Sequence, residues 1–151
     1  MSKLKLGLFS MVLGLSALAN AETVRIDAYD DPNFADPGFV DSVQMIEGHP
    51  MVVKLMVLGQ GDPARNGMHL HLSVNQMESG AGRWNTYPLK DVRNYKILPS
   101  AKPGYLKLEL SNDAMNDEGH IYQYRSVLFV NMNQAAKPRG YIEVEEVTNH
   151  R

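Results

Sequence analysis

The chain has 151 residues, no cysteine and a formal net charge of -2, with 44% hydrophobic and 21% charged residues. Those proportions exclude a wholly disordered chain and a polytopic membrane protein, and the length suits one domain rather than two. Without cysteine there is no disulfide staple, thiolate metal site or cysteine nucleophile.

Residues 1–21 read as an export signal. Lys3 and Lys5 supply a positive start, residues 6–18 form an apolar stretch too short to span a bilayer well, and Ala19-Asn20-Ala21 ends it with small residues. Cleavage is expected after Ala21, with no following cysteine to carry a lipid anchor. The mature chain is then a single domain, 22–151, and its expected location is the periplasm. Losing Lys3 and Lys5 leaves 13 basic residues against 17 acidic ones. That mild acidity disfavours nucleic acid or anionic lipid as a partner. No later apolar stretch reaches spanning length, so no stable membrane insertion is expected.

From there the pattern is one of strands. They are predicted over 23–29, 39–46, 51–58, 68–76, 84–97, 105–110, 121–132 and 140–147, about eight in all, with 84–97 long enough for two. Met68, Leu70, Leu72 and Val74 alternate with His69, His71, Ser73 and Asn75; Leu106, Leu108 and Leu110 alternate with Tyr105, Lys107 and Glu109. Such a period of two puts apolar side chains on one strand face and polar ones on the other. Residues 51–58 and 127–130 are apolar at both parities and are expected to be central strands covered on both sides. Turn chemistry separates the runs, including Asp36-Pro37-Gly38, Gly48-His49-Pro50, Gly59-Gln60-Gly61-Asp62-Pro63 and the stretch 112–119. The predicted fold class is all-β: one antiparallel β-sandwich or small barrel.

Metal chemistry has two candidate sources. His69 and His71, two apart on a strand, project from one face and offer two ligands to a transition metal such as copper, with His49, His120 and Glu78 as further donors of the right type. The plainer reading is a solvated strand face. Of the seven methionines after the signal, Met56 and Met68 fall in apolar faces and the rest are scattered, which favours core packing over a copper site. The second source is the oxygen-rich stretch with Asn112, Asp113, Asn116, Asp117 and Glu118, which offers hard ligands to calcium. It departs from the EF-hand register, and a solvated hairpin loop accounts for its Asn, Asp and Gly equally well.

Catalytic hardware is not marked. There is no Gly-x-Ser-x-Gly, no His-Glu-x-x-His and no phosphate-binding glycine loop, so the chain is not expected to be an enzyme. Protein contact is the remaining class. Gln60, Asp62, Arg65 and Asn66 sit on a glycine-bracketed turn; Glu78, Ser79, Arg83 and the only tryptophan, Trp84, form a second group. Arginine and tryptophan are the types most enriched where binding energy concentrates. Trp84 either joins that surface or anchors the core, since Trp84, Asn85, Thr86 and Tyr87 leave its facing undecided. Tyr122, Tyr124 and Arg125 make a third strip.

The Ala19-Asn20-Ala21 cleavage signature, the single β-domain over 22–151 and the polar loops 59–67, 78–84 and 112–120 together give a layout that resembles periplasmic immunity proteins. These protect Gram-negative cells from muramidase-type, peptidoglycan-degrading effectors delivered by type VI secretion. The likeness is architectural and rests on no short motif. It implies a protein partner, a cell-wall hydrolase delivered to the periplasm, and inhibition by loops that occlude its substrate groove.

Overall fold

Leu106, Leu108 and Leu110 are each buried to 1% exposure or less, while Tyr105, Lys107 and Glu109 between them stay half-buried. That alternation repeats along most of the chain and makes it a two-layer β protein. The computed structural model describes residues 22–28, 40–47, 51–59, 67–75 and 83–149. The predicted export signal lies outside them, as do His49, Gln60, Asp62, Arg65, Asn66, Glu78 and Ser79.

Nine strands are described: β1 (Thr23–Asp27), β2 (Val40–Ile46), β3 (Val53–Gly59), β4 (Met68–Asn75), β5 (Trp84–Val92), β6 (Asn94–Leu98), β7 (Tyr105–Met115), β8 (Ile121–Asn131) and β9 (Tyr141–Asn149). They form two antiparallel sheets, ordered β1-β9-β8-β7-β6 and β2-β3-β4-β5. Neither sheet closes on itself, so the architecture is a β-sandwich and not a barrel. No helix among the described residues is long and apolar enough to cross a membrane.

β2 to β5 form one meander and β6 to β9 another, with β1 added beside β9. Between β5 and β6 the chain changes sheet at Arg93, a single bend residue whose N–H donates to the Ser111 carbonyl at 3.0 Å. The predicted run 84–97 is therefore two strands in different sheets, a corner turned at the sandwich edge. The first and last strands meet, with Thr23 opposite Glu145 and Asp27 opposite Tyr141.

Between the sheets lie Val53, Leu55, Val57, Leu70, Leu72 and Val74 from one side, and Leu106, Leu108, Leu110, Leu128, Val130, Ile142 and Val144 from the other. Cutting one such leucine to alanine costs about 2–5 kcal/mol. The expectation that 51–58 and 127–130 are covered on both sides is corrected. Lys54, Met56 and Leu58, like Val127 and Phe129, point outward and are half-buried. With two layers each sheet has one covered face, and these outward residues are screened only by neighbours alongside them.

One end of the sandwich is closed by residues 132–140. Met132 and Ala135 are fully buried there. Asn85 Nδ2 donates to the carbonyls of Ala135 and Lys137, both at 2.8 Å, and the Tyr87 hydroxyl donates to Ala135 at 2.7 Å. Burial of Tyr87 pushes its phenol up to about 12.

Candidate functional site: the β7–β8 arm

The opposite end of the sandwich carries a projection. β7 and β8 pair along eleven residues each, from Tyr105 opposite Asn131 to Met115 opposite Ile121. Among the described residues their neighbours stop sooner: β6 reaches to Asn94 opposite Ser111, and β9 to Asn149 opposite Arg125. Beyond that level, 112–115 and 121–124 pair, among the described residues, with each other alone. Four residues at strand rise make an arm about 13 Å long before its turn is added.

Polar residues build the turn. Asn116 Oδ1 accepts from the N–H of Glu118 at 3.1 Å and of His120 at 2.8 Å. Asn116 N–H donates to the His120 carbonyl at 3.0 Å, and Gly119 N–H to the Asn116 carbonyl at 2.9 Å. Gly119 adopts a φ of 82°, in the left-handed region where glycine alone is unstrained. A single asparagine side chain thus caps the tip, in the manner of an Asx turn.

What the arm presents is apolar at its sides and acidic at its tip. Met115, Ile121 and Tyr122 are 67%, 64% and 51% exposed. Met115 and Ile121 share one face; Ala114, Tyr122 and Tyr124 share the other, with the two tyrosine rings 6.4 Å apart. Asp117 and Glu118 sit in the turn, Glu118 Oε2 lying 3.5 Å from His120 Nδ1.

The root is braced on both faces. Outside, Arg93 Nη1 reaches Asp113 Oδ2 at 3.2 Å. Inside, Lys90 Nζ binds both Glu146 carboxylate oxygens at 2.6 and 2.7 Å and lies 5.9 Å from the Tyr124 ring centre. Asn112 is buried between them and donates to Ser126 Oγ at 3.5 Å, while its Oδ1 has no hydrogen-bond partner.

The sequence-predicted residues divide accordingly. Tyr122, Tyr124 and Arg125 stand on the arm or at its root. Gly59 and Met68, which bracket the candidate residues Gln60, Asp62, Arg65 and Asn66, are at this same end of the sandwich, opposite each other in β3 and β4. Arg83 and Trp84 are at the other end. Trp84 faces outward, half-buried, with Lys54 Nζ 3.7 Å from its ring centre, so it neither fills the core nor joins the arm.

The predicted calcium loop is corrected in extent. Asn112 and Asp113 belong to β7 and point to opposite faces, leaving Asn116, Asp117 and Glu118 in the turn. Strand pairing with Tyr124 and Gln123 overrides the turn propensity of Asn and Asp there. His69 and His71 do share a face of β4, but that face is not solvated at His71, which is 8% exposed in a row with Met56 and Pro88. His71 Nδ1 donates to the His69 carbonyl at 3.2 Å, and His69 Nδ1 contacts the Asp91 carboxylate. Burial holds the His71 imidazole below its ordinary pKa. Among the described residues, no group of three or more His, Asp or Glu side chains is placed to hold a metal ion.

Met115 and Ile121 were not among the sequence candidates. Their signal is an apolar pair closing a hairpin around Asn116-Asp117-Glu118-Gly119, too far along both strands to reach a core.

A shallow concavity lies on the outer face of the five-stranded sheet between Thr23, Tyr105, Phe129, Asn131, Glu143 and Glu145. Its aromatic rims already carry cations, Lys102 Nζ at 3.8 Å over Tyr105 and Lys107 Nζ at 5.4 Å over Phe129. The arm is the better-formed contact surface. No family model, curated protein or solved structure matches this chain.

Proposed function

We propose that this is an exported binding protein that works by occlusion: a periplasmic inhibitor of the immunity type, whose β7–β8 arm enters the substrate groove of a peptidoglycan-cleaving toxin. The observation that carries this reading is the arm itself. Soluble domains bury apolar hairpins or keep them short, and this one holds Met115, Ile121 and Tyr122 out beyond its own sandwich.

The chemistry fits a groove. Asn116 presets the tip and the root contacts to Arg93 and Lys90 preset the arm, so docking orders little that is mobile. The apolar sides fill the cleft, and Asp117 and Glu118 meet the polar groups that a glycan-cleaving site offers its substrate. The arm alone covers less than the roughly 800 Å² per partner of a stable complex. The rest of the contact is proposed to come from the sequence candidates Gln60, Asp62, Arg65 and Asn66, with Arg65 as the anchor. The protein catalyses nothing in this scheme; its location is the periplasm and its partner a delivered wall hydrolase.

Contact killing tests it. Cells lacking the protein are expected to lyse beside parental cells and to be rescued by the wild-type gene. An Ile121→Asp/Tyr122→Ala version with an unchanged melting temperature is expected not to rescue them. Full rescue by that version removes the arm from the account, and survival of the deletion strain removes the immunity role.

A further inference from the structure

β7 ends at Met115, which is 67% exposed and stands opposite Ile121 in the last pair of the arm. The chain has no cysteine, so no thiol intercepts an oxidant before it reaches a thioether. Among the described residues the methionines differ widely in access. Met132 is fully buried; Met51, Met56 and Met68 are half-buried, with Met51 and Met68 packed against the core. Met45, on β2 in the other sheet, is 51% exposed. Met115 is the most open of these, and it alone lies on the surface that the arm presents.

We propose that Met115 is an oxidation site that disables the arm: a peroxide converts its thioether to the sulfoxide, leaving the fold intact and spoiling the contact. The inference rests on the arm's role in the proposed function. In the reaction the sulfur gives an electron pair to one oxygen of the peroxide. The O–O bond breaks as an S–O bond forms, and with hydrogen peroxide the second oxygen leaves as water. Sulfur is oxidised by two electrons and the peroxide is reduced by two.

Placement decides what this does. Beyond Ser111 and Arg125 the arm pairs, among the described residues, only with itself, so a larger polar group at Met115 has no core to disrupt. The new S–O group is a strong acceptor where an apolar sulfur stood. Water satisfies it on the free arm. Inside an apolar cleft it must shed that water, and Ile121, its neighbour on the same face, offers no donor in return.

Peptide mass mapping of the purified protein under limiting hydrogen peroxide is expected to show Met115 oxidised more than about tenfold faster than Met132, with an unchanged melting temperature. In contact killing, Met115→Gln, which places a polar oxygen at the same reach, is expected to lower survival about tenfold. Met45→Gln is expected to protect as the wild type does. Met115→Leu is expected to keep its protection at a peroxide dose that strips it from the wild type. Oxidation of Met115 no faster than that of Met132 overturns the proposal, as does equal peroxide sensitivity of Met115→Leu and wild type. Full protection by Met115→Gln, where Ile121→Asp/Tyr122→Ala fails, overturns it and spares the arm; full protection by both variants removes the arm as well.

Discussion

Tyr87 donates its phenolic hydrogen to the carbonyl of Ala135 at 2.7 Å, a buried bond that ties β5 to the segment closing the sandwich 48 residues later. Asn85 Nδ2 donates to that same oxygen at 2.8 Å. Either donor alone keeps the carbonyl satisfied. Tyr87→Phe or Asn85→Leu is therefore expected to cost about 1 kcal/mol singly, and the double variant more than their sum, because only then is a buried acceptor left bare. Urea denaturation of the four proteins checks this; simple additivity would disprove the shared acceptor.

Two glycines are expected to answer differently to alanine. A Cβ on Gly140 would lie 2.6 Å from the Gln134 carbonyl oxygen, 2.7 Å from that of Ala135 and 2.8 Å from that of Lys137, all backbone atoms that cannot swing aside. At Gly119 the space is open and only the φ of 82° resists. Gly119→Ala is expected to cost about 1–2 kcal/mol and Gly140→Ala more. Thermal melts rank them, and the reverse order would contradict the packing described.

His71 makes stability depend on pH. Burial is the main cause of its lowered pKa, with the nearby His69 ring acting in the same direction, while its bond to the His69 carbonyl and the Asp91 charge oppose it. A base whose pKa is lowered by folding binds more protons unfolded, so stability rises with pH. The contribution is complete above the ordinary value of 6.5 and is lost as pH falls from there to the folded value. Melting temperatures from about pH 8 down to about pH 5 are expected to fall for the wild type and to fall less for His71→Gln. Parallel curves would mean that other groups dominate.

At the arm's root, Ser126→Ala removes the one acceptor that Asn112 Nδ2 has, leaving a buried amide unsatisfied at both ends. The expected cost is about 1–3 kcal/mol. Adding Asn112→Leu is expected to recover most of it, since an apolar pair has no polar group to strand. If the second change destabilises further, the amide has a role that its hydrogen bonds do not express.

Strand positions were legible because burial on one side of a two-layer sheet imposes a period of two, and Leu106, Leu108, Leu110, Ile142 and Val144 obey it. The break at Arg93 was not, since Tyr95 and Ile97 continue an acceptable strand pattern while changing sheets; that choice is made by tertiary pairing with β7. The same holds for the arm. Tyr122, Tyr124 and Arg125 could be picked out as contact residues, but Asn112 and Asp113 carry turn chemistry, and only their pairing with Tyr124 and Gln123 extends the strand to Met115. The facing of Trp84 turned on its register opposite Asn75, a contact between strands that no local pattern encodes.

The pairing of β1 with β9 has a consequence for biogenesis. Thr23 to Asp27 can take their places only once Tyr141 to Glu145 have left the ribosome, so the first strand of the five-stranded layer is among the last to be paired. For the exported role proposed above, which requires threading through a translocation channel before folding, such a delay is useful, and the strand order itself supplies it.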